Sequence, residues 1–162
     1  MIHRLYCHVV WTTRQRAPVI DAGLARFLCR FLRSVAQQER CRILEIGMVT
    51  THVHLLIRVH PTTNLSRLLQ RLKGGSAAIA GKERRSTSGH TLRWAKGYSI
   101  HSVSARVIGT VRAYLRAQPT RHPSEAIRGW TGDNPEYDRS TQEEWMSEQR
   151  HARLKPRLGT SR

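Results

Sequence analysis

Apolar and polar residues alternate from residue 4 to 12. Leu5, Cys7, Val9 and Trp11 fall on one side, and Arg4, Tyr6, His8 and Thr12 on the other. A period of two is that of a strand with one buried face. The period then lengthens. Leu24, Phe27, Leu28, Phe31, Leu32 and Val35 recur at spacings of three and four behind Asp21, which predicts an amphipathic helix with an aspartate N-cap. Residues 41–49 and 52–59 predict two strands around a short turn at Thr50-Thr51. Asn64 then caps a second helix carrying Leu65, Leu68, Leu69, Leu72 and Ile79. Tyr98 to Val103 predicts a fourth strand, and a last helix runs from about Ser104 to Gln118, ended by Pro119.

The order is strand, helix, strand, strand, helix, strand, helix. It predicts an α+β fold: a ferredoxin-like, RRM-like antiparallel sheet with helices on one face, followed by a C-terminal helix. A sheet covered on one side leaves the other face for a ligand such as nucleic acid. Fold alone does not decide function.

Charge narrows the choice. The chain has 162 residues, 39% of them hydrophobic, enough for one domain with a core. Lys and Arg number 28 against 11 Asp and Glu, for a net charge of +17. Most of the cations are Arg, whose guanidinium forks match phosphate oxygens. Such a balance points to nucleic acid. It is unevenly placed: residues 1–130 hold 22 basic and 5 acidic residues, whereas residues 131–162 hold 6 of each. Gly129, Gly132 and Pro135 mark the boundary. The expected organisation is a basic domain over 1–130 and a mixed-charge tail over 131–162. Residues 82–89 read as an exposed basic loop. No apolar run approaches the roughly 20 residues of a membrane span, and the N-terminus lacks the pattern of a signal peptide. The three cysteines, Cys7, Cys29 and Cys41, make no CxxC pair and no disulfide framework. The expected location is the cytoplasm.

Two places carry chemistry. On the strand 52–59, Val53, Leu55, Ile57 and Val59 turn to the core, so His52 and His54 turn away from it together. They stand roughly 7 Å apart along the strand, at about 3.3 Å per residue. Neighbouring imidazoles resist double protonation and can share one divalent cation. The plainer reading is a pair of solvent-exposed histidines. A nucleotide-transferase HxHxH pattern needs a third histidine at position 56, which is Leu56. On the last helix, Val103, Val107, Ile108, Val111 and Leu115 define an apolar arc that also takes in Tyr114 and Gln118. A tyrosine there is ordinarily a core residue with its hydroxyl at the rim. An amide in an apolar arc needs a partner, and its oxygen suits Mg2+ or Mn2+. Tyr114 and Gln118 are one turn apart, so both can reach one target. A tyrosine beside a metal-bound phosphate is a plausible nucleophile.

These residues carry a resemblance. His8-Val9-Val10-Trp11-Thr12-Thr13-Arg14-Gln15-Arg16 resembles the HxVWxTKxR opening of the single-tyrosine HUH transposases. These are the TnpA enzymes of IS200/IS605-type insertion sequences and their palindrome-associated relatives. Gly47 and the run His52-Val53-His54-Leu55-Leu56-Ile57 resemble their GxxMPDHVHLLI segment. Asn64-Leu65-Ser66 through Lys73-Gly74-Gly75-Ser76 resembles the helix that follows it. Leu92-Arg93-Trp94-Ala95-Lys96-Gly97-Tyr98 resembles the LWxxGY box, and Tyr114-Leu115-Arg116-Ala117-Gln118 the YIxxQ segment. The five lie in register over about residues 8–118.

The resemblance implies a DNA transposase that cleaves and rejoins single-stranded DNA at hairpin-bearing element ends. It implies Tyr114 as nucleophile, a 5′-phosphotyrosine intermediate, and Mg2+ or Mn2+ held by His52, His54 and Gln118. No nucleotide cofactor is implied. The implied partners are hairpin DNA and a second copy of the chain, whose histidines the tyrosine helix serves in many members. The implied place is the cytoplasm, at the nucleoid. The chain departs from the pattern at Thr50-Thr51, where the family has Pro-Asp, so whatever the acid supports is weakened or comes from elsewhere. His122 after Gln118 resembles the palindrome-associated group. The competing readings are a catalytically inactive hairpin-binding regulator of the same fold and an RNA-binding module on the open sheet face. The intact His52, His54, Tyr114 and Gln118 set favours the enzyme. An RNA module would want exposed strand aromatics for base stacking, and only Tyr6 qualifies.

Overall fold

The computed structural model describes residues 3–83 and 85–132. From residue 133 the expected mixed-charge tail lies outside the described residues. Four strands, β1 (Leu5–Thr12), β2 (Arg42–Val49), β3 (His52–Val59) and β4 (Ser99–Val103), form one antiparallel sheet in the order β2-β3-β1-β4. This is the split ferredoxin-like order that the alternation of elements predicts.

One face is built as the periodicity requires. Helix α1 (Ala22–Gln38) starts at Asp21, whose Oδ1 accepts the Leu24 N–H at 2.9 Å. Leu24, Leu28 and Leu32 are fully buried and pack into a core with Val9, Trp11, Val53, Leu55 and Ile57 from the sheet. Burying each such aliphatic side chain stabilises the fold by about 1.5–3 kcal/mol. The helix stops where Arg40 takes a left-handed φ of 59° and Cys41 N–H reaches back to the Ala36 carbonyl at 2.8 Å. The second predicted helix is α2 (Leu65–Gln70), a π turn (Arg71–Gly75) and α3 (Ser76–Lys82) in succession. Gly75 lies in that turn, where a Cβ would stand 2.9 Å from the Phe31 ring of α1, so the glycine lets the two helices approach.

Two sequence motifs turn out to be each other's structural partners. Lys73 Nζ donates to the carbonyls of Ala95, Lys96 and Gly97 at 2.8, 3.1 and 2.7 Å. The Trp94 indole N–H donates to Ser76 Oγ at 2.9 Å. The segment before β4 is thereby tied to the helix.

The other face differs from expectation. It is partly roofed by α4 (Ile108–Arg116), where Ile108 and Leu115 pack with Tyr6, Leu44 and Leu56 in a second, smaller core. Leu56 and Tyr6 are apolar positions on the side of β3 and β1 that bears the histidines, and they give the roof its hold. The last helix also ends sooner than Pro119 implies. It breaks at Ala117, and Gln118–Arg121 form a separate turn, α5. Pro119 sits in the first turn of α5, where its missing N–H costs nothing.

Candidate active site

The site lies between β3 and the α4–α5 break. Strand pairing sets Val10 opposite His54 and Thr12 opposite His52, so the two histidines share a face with His8 of β1. That face is not open here: His52 and His54 are only 5% and 6% exposed, and Gln118 is fully buried. The plainer reading, a pair of solvent-exposed histidines, is therefore corrected. They point away from the main core, but α4 and α5 close over them.

Two devices bring the helix down. Glu45 Oε2 on β2 accepts from Arg112 Nε at 3.1 Å and Arg116 Nε at 3.0 Å, so one carboxylate holds successive turns of α4. Gly47 supplies the room. A Cβ there would collide with the Leu115 carbonyl oxygen and stand 3.0 Å from Gln118 Cγ.

The four residues singled out from the sequence meet within one chain. His52 Nε2 and Gln118 Oε1 face each other at 3.4 Å. The Gln118 amide nitrogen donates to the Tyr114 carbonyl at 3.4 Å, which assigns the other amide atom as the oxygen. The imidazole centroids of His52 and His54 are 5.1 Å apart, and the Tyr114 ring lies 5.8 Å from His54. Four further residues complete the constellation. His8 Nε2 lies 3.0 Å from His54 Nδ1, with the rings stacked. The Arg121 guanidinium sits 4.8 Å over the Tyr114 ring. His122 lies 5.2 Å from His52, and Glu125 approaches the far side of His52.

The electrostatics favour neutral imidazoles. Burial pushes His54 down to about 3, with His52, His8 and His122 adding to the shift. Burial also lowers His52, against the opposing pull of Gln118 and Glu125. His8 is lowered by burial and by His101. Neutral imidazole is the ligand form. Among the described residues no group of three or more His, Cys, Asp or Glu is placed to hold a metal. The candidate donors are instead two neighbouring imidazoles, His52 and His54, and the buried amide oxygen of Gln118 that faces His52. That mixed nitrogen and oxygen set fits a divalent cation of the magnesium or manganese kind.

Sequence reading placed His8 and His122 in motifs without giving them a role, and it did not find Arg121 or Glu125. His8 had a signal, since its alternation puts it on the histidine face. Glu125 had none, because it meets Thr51 and His52 across more than 70 residues of chain.

The fold has solved counterparts. A Deinococcus radiodurans R1 structure described as a candidate transposase matches with a TM-score of 0.56 at 24% identity, covering 73% of this chain and 93% of that one. A REP-associated tyrosine transposase, solved bound to a REP hairpin, matches with a TM-score of 0.59 at 13% identity, over 75% of this chain and 70% of that one. More particularly, the chain belongs to the IS200-like transposase family (Y1_Tnp), whose sequence pattern matches residues 1–118. Among relatives, the ISDra2 transposase TnpA of Deinococcus radiodurans is 25% identical over 120 residues, 72% of this chain and 86% of its own length. The transposase for insertion sequence element IS200 of Salmonella typhimurium is 22% identical over 114 residues, 68% of this chain and 74% of its own.

Proposed function

We propose that this transposase cleaves and rejoins single-stranded DNA at hairpin-bearing element ends through a 5′-phosphotyrosine on Tyr114. The observation that carries the reading is the placement of Tyr114 against His54, with Gln118 against His52, in a single chain. His52, His54 and Gln118 would hold the Mg2+ or Mn2+. Such a cation supplies Lewis-acid polarisation of a phosphate.

The chain's own residues account for the rest. The Tyr114 oxygen attacks the scissile phosphorus. A bond forms from that oxygen to phosphorus, the bond from phosphorus to the 3′ oxygen breaks, and the phenol proton ends on the released 3′-hydroxyl. Arg121, stacked on the Tyr114 ring, favours the negative charge that gathers on the phenol oxygen. Rejoining is the reverse step with a different 3′-hydroxyl, so no nucleotide cofactor is consumed. Arg-rich surface supplies the phosphate contacts. That one fold relative was solved with a REP hairpin supports hairpin DNA as the partner. A second copy of the chain is part of the proposal, to bring the second DNA end, while the nucleophile and ligands of each site come from one chain. The place of action is the cytoplasm, at the nucleoid. Among the described residues no helix is long and apolar enough to cross a membrane.

The test is a denaturing gel after incubation with end-labelled single strands from the DNA flanking the gene, with Mg2+ or Mn2+. A protein-linked label is expected from the unmodified chain and from Tyr98→Phe, and none from Tyr114→Phe. Label persisting in Tyr114→Phe overturns the choice of nucleophile. No adduct from the unmodified chain on its own hairpins moves the protein to the hairpin-binding regulator.

A further inference from the structure

Thr51 stands immediately before the histidine pair, where the resemblance drawn from the sequence implies an acid. The structure brings a carboxylate to the same place from another part of the chain. Thr51 Oγ1 lies 2.9 Å from His52 Nδ1 and donates to Glu125 Oε1 at 3.0 Å. Glu125 lies in the 3-10 turn Pro123–Glu125, beyond the stretch 1–118 that matches the family. We propose that Glu125, acting through the Thr51 hydroxyl, is the positioning residue that fixes the His52 ring and its tautomer for cation binding.

Donor arithmetic carries the argument. A threonine hydroxyl has one proton to give. A carboxylate accepts only, so the Thr51 proton goes to Glu125. Thr51 Oγ1 then meets His52 Nδ1 as an acceptor, and Nδ1 must carry the ring proton. That leaves Nε2 with its lone pair, and Nε2 is the atom that faces Gln118 Oε1 at 3.4 Å. Two lone-pair atoms aimed at one point are satisfied by a cation between them. The opposite tautomer lets Nε2–H donate to Gln118 Oε1, but it leaves Thr51 Oγ1 and His52 Nδ1 facing each other at 2.9 Å with the hydroxyl's one proton already given to Glu125, inside a site where Thr51 is 3% exposed.

The turn is built to hold this chain of bonds. Thr50 N–H donates to the Glu125 carbonyl at 2.8 Å. Thr13 N–H donates to the Thr51 carbonyl at 2.8 Å, and Thr13 Oγ1, which gives its proton to the Ala17 carbonyl at 2.7 Å, lies 3.1 Å from the same Thr51 oxygen. Beyond Glu125, Ile127 is buried in the main core and anchors the segment. Arg16 Nη2, 3.6 Å from Glu125 Oε1, sits at the outer side of the carboxylate.

This inference rests on the cation site of the proposed function, and its test separates the two. The probe is 15N-labelled, EDTA-treated full-length protein, read by long-range imidazole correlations in NMR, with His52 assigned by its loss in His52→Gln. The unmodified protein is expected to show the Nδ1–H tautomer at His52. Thr51→Val and Glu125→Ala are expected to shift it toward Nε2–H. Both should weaken Mn2+ binding by about 10- to 100-fold, the usual effect of removing a partner behind a ligating histidine, and leave hairpin-DNA binding intact. Glu125→Gln keeps an acceptor oxygen and is expected to retain the tautomer. Adding Thr51→Asp to Glu125→Ala should restore both tautomer and Mn2+ affinity, because the carboxylate then meets Nδ1 directly. A His52 Nε2–H tautomer in the unmodified protein overturns the proposal, as does an unchanged tautomer and Mn2+ affinity in both Thr51→Val and Glu125→Ala. Should either of these not fold, as judged by circular dichroism, the tautomer in the unmodified protein and in Glu125→Gln decides. If the unmodified protein forms no DNA adduct yet shows the expected tautomer, the enzyme reading fails and the relay stands.

Discussion

Gly47 on β2 and Leu115 on α4 touch backbone to backbone, because the Leu115 carbonyl occupies the space that a Cβ at position 47 would need. The helix that bears Tyr114 therefore sits closer to the sheet than any side chain at 47 permits. That approach is what brings Gln118 within 3.4 Å of His52.

Gly47→Ala is accordingly expected to push α4 and Gln118 away from β3. Overpacking of this kind costs about 1–3 kcal/mol, and the cleavage rate should fall at least about tenfold, since an ångström-scale misplacement in a site costs on that order or more. Thermal unfolding together with single-turnover cleavage measures both. A variant with unmodified stability and rate would show that the close approach is not what seats Gln118.

Histidine substitutions should separate chemistry from binding. His52→Ala and His54→Ala are expected to lose detectable cleavage and to keep hairpin binding, since the phosphate contacts come from Arg. EDTA should have the same effect on the unmodified chain. Affinity for DNA should fall steeply between 50 and 200 mM salt, by about 10³-fold or more for six or more phosphate contacts. Undiminished cleavage by His52→Ala would sink the ligand assignment.

The buried state of His54 makes a pH prediction. Its folded value is lowered from 6.5 to about 3, first by burial and then by the neighbouring histidines. A group so lowered stays neutral in the fold while the unfolded chain takes up a proton. Its contribution to stability is therefore complete above about pH 6.5 and is lost as the pH falls toward 3. In chelator-treated protein the His54 ring signal should not move between pH 8 and 5, and the urea midpoint should drop over the same acid range. Titration of His54 with a midpoint near 6.5 would contradict the burial.

Far from the site, Asp21 offers a test of the fold alone. Burial would raise its carboxyl, but hydrogen bonds from Ser86, the Leu24 N–H and Ser88 outweigh this and hold it well below the usual range. Its contribution is present above the ordinary carboxylate value of 3.8 and is lost as the pH falls below it. Asp21→Ala should cost about 0.5–2 kcal/mol, the usual range for an N-cap, without changing the cleavage rate at neutral pH. Equal urea midpoints for the two proteins would show that the cap contributes nothing.

Much of this molecule is written in local pattern. The period of two in residues 4–12 and 52–59 sets which side chains leave the core, and the spacing of three and four behind Asp21 and Asn64 sets two helix faces. These signals act between near neighbours, because a backbone of given geometry repeats its faces whatever it packs against. They were enough for the sheet, for its order, and for grouping His52 with His54 and Tyr114 with Gln118. They were misleading at two points. Leu56 and Tyr6 share the histidine face, and their burial draws α4 over a surface that alternation alone leaves open. Pro119 reads as a helix stop, yet it begins α5, because a proline is welcome in a first turn.

What the sequence determined by itself was therefore the set of elements, the faces they present and the identity of the candidate chemistry. What only the tertiary structure decided was which distant groups meet. Nothing in the spacing of Thr51 and Glu125 announces a hydrogen bond, and nothing near Gly47 announces the carbonyl of Leu115. Such contacts depend on how far α4 descends and on where the chain after α5 returns. Both are set by packing against side chains contributed from elsewhere in the fold, Leu44, Leu56 and Tyr6 under α4 and the main core around Ile127. Hydrogen bonds and close packing act over a few ångströms, so residues some 70 positions apart feel one another only after the core has closed.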